Sequence, residues 1–333
     1  MELYKYAKGD LMAGRKIVYL HGFASSGRTG TAASLRLLLP GAEVLSPDIP
    51  VDPEEAMPFL KDYLRNVNPD LVIGTSMGGM YAEQMEGWPR ICVNPALHLA
   101  DTILKNNGLG MKTFHNPRED GQTEFMVTKS LLEKYRSVSE GRLKAADPGN
   151  VWGLFGKNDT MVDCYAEFSS RYPRSIRFEG AHQLNDSAIV HSLMPVIRRV
   201  ETALVRKKRP VAAVGMETLR TLKGLPAEGC QRAVSAMDDR YDVYFISRTC
   251  HDTPSLFAED CEWLDSAFGV LAFDRVVSCP DRSLLMADYL VFAPCRECPD
   301  SPESFVGTAL EYGKEPFRDW KALGDYFSML GGQ

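Results

Sequence analysis

Ser76 stands at the centre of Gly74-Thr-Ser-Met-Gly-Gly79, directly after the apolar run Leu71-Val-Ile73 and directly before a helical pattern. The G-x-S-x-G spacing suits a nucleophile. A serine on a tight strand-to-helix turn is held in a strained backbone conformation with its hydroxyl pointing outward. Gly74 and Gly78 flank it where side chains would collide as strand and helix close up, and the helix N-terminus beyond favours negative charge. A serine hydroxyl attacks well only when a base takes its proton. Six histidines are available: His21, His98, His115, His182, His191 and His251. Such a serine in an α/β sheet goes with the chain order serine, acid, histidine. His182 fits that order, in the loop Phe178-Glu-Gly-Ala-His-Gln-Leu184 after the last β-like run. The acid belongs after an earlier strand. Val151–Phe155 leads into Gly156-Lys-Asn-Asp-Thr-Met-Val-Asp163, where Asp159 opens the loop and Asp163 is the competing choice. Upstream, His21-Gly-Phe-Ala-Ser-Ser26 follows the first apolar run and offers the backbone N–H of Phe23, beside that of Met77, to a developing oxyanion. His21 reads as a brace for that loop rather than as the base.

These groups need a scaffold that brings distant loops together. Short β-rich runs at Lys16–Leu20, Leu71–Ile73, Ile91–Val93, Val151–Phe155 and Ser175–Phe178 alternate with helical patterns such as Ala56–Val67 and Gly79–Glu86. That alternation predicts a mostly parallel sheet covered by helices, with the chemistry gathered at the carboxyl ends of the strands. Residues 187–205 carry apolar side chains at helical spacing, and Arg206-Lys-Lys-Arg-Pro210 then breaks the pattern. The expectation is therefore two α/β domains, residues 1–206 and 207–333. Residues 99–140 mix apolar residues with the turn Asn116-Pro-Arg-Glu-Asp-Gly121. They read equally as a lid over the site and as a core-packing helix pair.

The 333 residues are 44% hydrophobic and 25% charged, which excludes a disordered or collagen-like chain. A net charge of −6 argues against nucleic acid as a partner, and no apolar run is long enough to span a membrane. The first residues lack the apolar core of a signal peptide. Together with eight scattered cysteines read as reduced thiols, this predicts a cytoplasmic protein. Cys295 and Cys298 form a single CxxC without a second pair, so neither a metal nor a cofactor is expected.

Residues 16–205 resemble the small α/β-hydrolase esterases of the YqiA type. The matching pieces are Tyr19-Leu-His-Gly-Phe23 with Ser25-Ser26, Gly74–Gly79, Val93-Asn-Pro-Ala96, Gly156–Asp163 and Glu179–His182. The loop before His182 is one residue shorter than in that family. The resemblance implies Ser76, His182 and Asp159 as a catalytic triad that hydrolyses a small-molecule carboxylic ester through an acyl-enzyme, with thioesters as further substrates. The open alternatives are a non-catalytic ligand-binding or scaffold protein and a nucleotidase acting through the second half.

Residues 208–333 resemble, with weaker motifs, the deoxyribonucleotidases of the haloacid-dehalogenase-like superfamily. That resemblance implies two aspartates after the first strand and an aspartate pair holding Mg²⁺. Here Gly215 and Glu217 stand at the first two positions, and Val291 is followed by Phe292 and Ala293. Glycine cannot form a phosphoryl intermediate. Ser247 and Arg282 remain at the positions that would contact phosphate. The stretch from Leu222 to Gly229 is too short for a cap domain. This half is therefore expected to be catalytically inert, binding a phosphorylated ligand or supporting the first half, with homo-oligomer formation through it as a further role.

Overall fold

The computed structural model describes residues 2–205, 209–248, 254–294 and 305–330. The chain divides into two compact units, Met1–Val205 and Arg206–Gln333, each built on its own parallel sheet. Arg206-Lys-Lys208 of the basic break, His251 and the Cys295–Cys298 pair lie outside the described residues.

The strands of the first unit are β1 (Lys16–Leu20), β2 (Glu43–Leu45), β3 (Leu71–Thr75), β4 (Arg90–Val93), β5 (Gly110–Thr113), β6 (Glu124–Val127), β7 (Val151–Gly156) and β8 (Ser175–Phe178). Six of them form one sheet in the order β2-β1-β3-β4-β7-β8, with every neighbouring pair parallel. A strand covered on both faces can be apolar at every position. The sequence runs obey this: β1 is buried from Ile17 to Leu20, β3 from Leu71 to Gly74, and β4 throughout. Val18, Leu20, Val72, Met80, Tyr81 and Cys92 join one core that continues under the helix Pro53–Val67 through Ala56, Leu60 and Leu64. Each fully buried aliphatic side chain stabilises by about 1.5–3 kcal/mol, so this two-sided layer fixes the strand register.

Register does the positioning. Leu20 pairs with Gly74, so the His21–Ser26 loop and the Ser76 turn leave the sheet side by side. Gly156 pairs with Phe178, which brings the Asp159 and His182 loops off adjacent strand ends. The chain path reverses between β1 and β3, where a parallel sheet opens a crevice at its carboxyl edge.

Residues 99–140 hold a helix (Leu99–Asn106), the antiparallel hairpin β5–β6 and a second helix (Lys129–Ser139). The helices pack into the core through Leu99, Ile103, Leu131 and Tyr135. The hairpin is an element the apolar spacing did not announce. Its tip is tied down: His115 N donates to Ala24 O (2.8 Å), Asn116 Nδ2 to Ser25 Oγ (3.0 Å) and Ser26 Oγ to Pro117 O (2.8 Å). The closing helical run is interrupted by a π-helical turn at Ile189–Leu193, next to Pro195, which has no N–H to return to the preceding turn.

The second unit has β9 (Val211–Gly215), β10 (Asp242–Ser247), β11 (Val276–Ser278), β12 (Tyr289–Phe292) and β13 (Thr308–Glu311), all parallel, in the order β11-β10-β9-β12-β13. Its core gathers Val214, Leu219, Val234, Phe245, Leu264, Trp320 and Phe327. β11 begins only at Val276, because Asp274 adopts a left-handed backbone (φ 55°) that an extended chain cannot include. Among the described residues, no helix is long and apolar enough to cross a membrane.

Candidate active site

Ser76 sits between β3 and the helix Met77–Glu83 with φ 54° and ψ −115°, a conformation costly for a residue with a Cβ. The surrounding glycines explain how the chain reaches it. A Cβ on Gly74 would lie 2.1 Å from Gly78 O, and one on Gly78 would lie 2.0 Å from Leu20 O. Strand, helix and neighbouring strand thus touch backbone to backbone, as the glycine spacing requires. A Cβ on Gly22 would lie 3.6 Å from that of Ser76, so the loop after β1 runs directly past the serine.

His182 Nε2 lies 3.0 Å from Ser76 Oγ, and His182 Nδ1 lies 2.7 Å from Asp159 Oδ2. The other Asp159 oxygen accepts the N–H groups of Met161 (2.8 Å) and Val162 (3.0 Å). Burial alone would raise the Asp159 carboxyl. The hydrogen bonds from His182 and from these two amides outweigh burial and hold it below the usual carboxylate range. Asp159 is thereby kept ionised, and with Nδ1–H facing it the imidazole presents its Nε2 lone pair to the serine. It is Asp159 that reaches the imidazole; Asp163, four residues on, is exposed.

Met77 follows the serine directly, and Phe23 follows Gly22, whose backbone runs beside the serine. Among the described residues, neither of their N–H groups is taken by another acceptor. His21 is buried and works within its own loop. Its Nδ1–H donates to Gly22 O (2.8 Å), while Nε2 accepts Ile49 N–H (3.0 Å). Burial pushes its pKa down to about 4, so the ring is neutral and fixed in one tautomer near neutral pH. Of the remaining described histidines, His98 pairs with Glu167 (2.6 Å), His191 is exposed with its ring against Tyr6, and His115 is exposed in the hairpin turn.

Asn94 went unread as a working residue. It follows β4 with φ 44°; its Nδ2 donates to Ala181 O and His182 O (3.0 Å each), and its Oδ1 accepts Gly156 N–H (2.8 Å). One amide side chain thus fastens the histidine loop to the end of β7. In the sequence only the Asn94-Pro95 turn pair directly after an apolar run marks the position, not its partners.

Phe125 lies between Phe23, which it meets edge-on at 5.3 Å between ring centroids, and Phe114, at 4.6 Å, and Tyr135 stands 6.3 Å from Phe23. They wall a small apolar cavity beside Met77. A larger cavity of about 1000 Å³ lies between loop 44–52, the helix Pro53–Val67 and the hairpin. It shares Pro50, Val51, Arg118 and Phe125 with the small one.

In the second unit, Gly215 ends β9, Ser247 ends β10 fully buried, and Arg282 is buried after β11. Arg282 Nη2 donates to Glu217 Oε1, which also accepts Ala293 N–H (3.3 Å). Among the described residues, no group of three His, Cys, Asp or Glu side chains is arranged to hold a metal ion.

The parallel sheet, the strained serine turn after β3 and the loops after β1, β7 and β8 define the first unit as an α/β-hydrolase-like domain. The chain belongs to the uncharacterised protein family UPF0227, whose model matches residues 16–197. Over 117 residues it is 30% identical to a Staphylococcus aureus protein provisionally named a 5'(3')-deoxyribonucleotidase, covering 32% of this chain and 61% of that one. A Staphylococcus epidermidis protein of the same provisional name is 27% identical over 109 residues, covering 30% of this chain and 58% of that one. The chain thus spans about three-fifths of the length of these curated relatives. Among solved structures, it is similar to the thioesterase domain from the curacin biosynthetic pathway, with 13% identity, a TM-score of 0.36 and coverage of 58% of this chain and 92% of that one. It is also similar to Est1E from Butyrivibrio proteoclasticus, with 16% identity, a TM-score of 0.37 and coverage of 60% and 91%.

Proposed function

We propose that the first unit is a serine hydrolase of small carboxylic esters, with thioesters within reach of the same chemistry. One observation carries this reading: the unbroken line from Ser76 Oγ through the His182 imidazole to Asp159, at 3.0 Å and 2.7 Å. Ser76 Oγ attacks the ester carbonyl as its proton passes to His182 Nε2. The carbonyl oxygen, now an anion, accepts the Phe23 and Met77 N–H groups, and Asp159 stabilises the imidazolium. Collapse breaks the bond to the alkoxy oxygen, which takes the proton from His182 and leaves as the alcohol. Water then repeats the sequence on the acyl-enzyme, with His182 as base, and releases the carboxylic acid. Side chains and backbone amides supply every step.

The test is hydrolysis of short p-nitrophenyl esters by the wild type and by Ser76→Ala. A rate that depends on Ser76 supports the reading, and equal rates remove it. The second unit is proposed to contribute no chemistry of its own, because Gly215 offers no side chain to attack phosphorus.

A further inference from the structure

The second unit has its own switch point. Its strand order places β10 on one side of β9 and β12 on the other, so the chain reverses direction between β9 and β12. In parallel sheets the crevice at such a reversal is where an anionic ligand is held. Three elements meet there. Glu217 lies two residues beyond the end of β9. Ala293 N–H is the first backbone donor after β12. Arg282 arrives from the connection between β11 and β12, with its side chain 3% exposed.

These parts form an anion site with an anion already in it. The Glu217 carboxylate accepts from both the Arg282 guanidinium and Ala293 N–H through the same oxygen. Its pose depends on Gly215, since a Cβ there would lie 2.4 and 2.6 Å from the two carboxylate oxygens. A side chain at 215 and this arrangement of Glu217 are mutually exclusive. The guanidinium is also incompletely used. Arg282 Nε is buried and has no hydrogen-bond partner. A buried, unanswered donor of a charged group is costly, and here it belongs to a fork shaped for two-point contact with an oxyanion. Glu217 reaches one prong of that fork. The same residues do not fit Mg²⁺: the carboxylate faces a cation of the protein, and Phe292 and Ala293 stand where further ligands would come from.

We infer that Glu217 is an internal ligand, a tethered carboxylate filling an oxyanion site formed by Arg282 and the Ala293 amide, which closes the second unit's crevice to phosphomonoesters. The site is latent: removing the tethered carboxylate leaves a buried cation and an amide converging on the position that the carboxylate oxygen held. This does not depend on how the first unit is read.

The experiment is calorimetric titration of the full-length protein with inorganic phosphate at constant ionic strength. The wild type is expected to show no saturable binding up to about 20 mM. Glu217→Ala should bind at least tenfold more tightly than that limit, and adding Arg282→Met should abolish the gain. If Glu217→Ala does not fold, Glu217→Gln keeps the shape without the charge. Its melting temperature should then rise in phosphate over chloride while that of the wild type does not. Two results overturn the inference: phosphate binding by the wild type that Arg282→Met abolishes, or no gain on removing the Glu217 charge. Mg²⁺-dependent phosphate release from a nucleoside monophosphate by the wild type, lost in Arg282→Met, overturns it as well.

Discussion

The two sheets open the same kind of crevice and fill it in opposite ways. Beside β1 and β3, Ser76 has a strained backbone, and among the described residues the Phe23 and Met77 amides have no hydrogen-bond acceptor. Between β9 and β12, Glu217 sits in the short helix Met216–Leu219 with ordinary backbone, and its charge is answered by Arg282 and Ala293 N–H. On the proposed reading the first crevice is reactive, and a reactive site keeps donors unsatisfied at the place where charge will develop. A closed one spends them on the protein itself. The architecture is shared, so what separates the two crevices is the state of a few hydrogen-bonding groups.

That contrast can be broken by substitution. The largest effect is expected from Ser76→Ala, which should lower the kcat for p-nitrophenyl acetate by about 10⁴-fold or more. A residual rate within tenfold of the wild type would mean that the first crevice is no more reactive than the second. Asp159→Asn should cost about 10⁴ in kcat by presenting the wrong tautomer, whereas Asp163→Asn should stay within about threefold. Similar losses for both would move the acid along the loop.

The second crevice should respond in stability instead. Glu217→Ala leaves a buried guanidinium unanswered and should destabilise the second unit by about 3 kcal/mol in urea unfolding. The p-nitrophenyl acetate rate should remain within twofold of the wild type.

His21 adds a pH dependence of similar size to the first unit. Its folded pKa of about 4 lies below its ordinary 6.5. Unfolded chains therefore take up a proton between these values that folded chains refuse, and stability falls as pH drops through that window. The contribution is complete above about pH 6.5, and about 3 kcal/mol of it is gone by pH 4. Urea unfolding of the wild type and His21→Asn across this range should show the steeper slope in the wild type. Parallel slopes would leave the His21 brace without an energetic signature. The smallest effect is expected from Ser76→Gly, which relieves the left-handed strain and should raise stability by about 1 kcal/mol while abolishing ester hydrolysis. No gain in the urea midpoint would remove backbone strain from the comparison.

Much of this was legible because burial writes itself into residue type. The runs at Lys16–Leu20 and Ser175–Phe178 coincide with β1 and β8; β1 is apolar from Ile17 to Leu20 because it is covered on both faces, and β8, at the sheet edge, keeps Ile176 and Phe178 buried. The order of Ser76, Asp159 and His182 could be read because each follows such a strand. Hairpin β5–β6 could not. The residues of β5 alternate between half-buried and exposed, and Gly110, Lys112 and Thr113 carry little apolar signal. The work of Asn94 was hidden for another reason. Its three partners lie 62 to 88 residues away, and only the convergence of three strand ends brings them within reach. In the sequence, Glu217 stands as a departure from the nucleotidase pattern and Arg282 as a position that remains. Their pairing across 65 residues is a property of the sheet order, which no local stretch of sequence contains.

The backbone contact between Gly78 and Leu20 has a consequence for how such a domain diversifies. With no room for even a methyl group between the serine turn and the strand that leads to Phe23, the two amides and the hydroxyl travel as a single rigid block. Changes of substrate have to be made elsewhere, in the walls brought up to that block. The stretch from residue 99 to 140, pinned to the Ala24–Ser26 loop at its tip and anchored by a helix at either end, is where the chain has freedom to vary them.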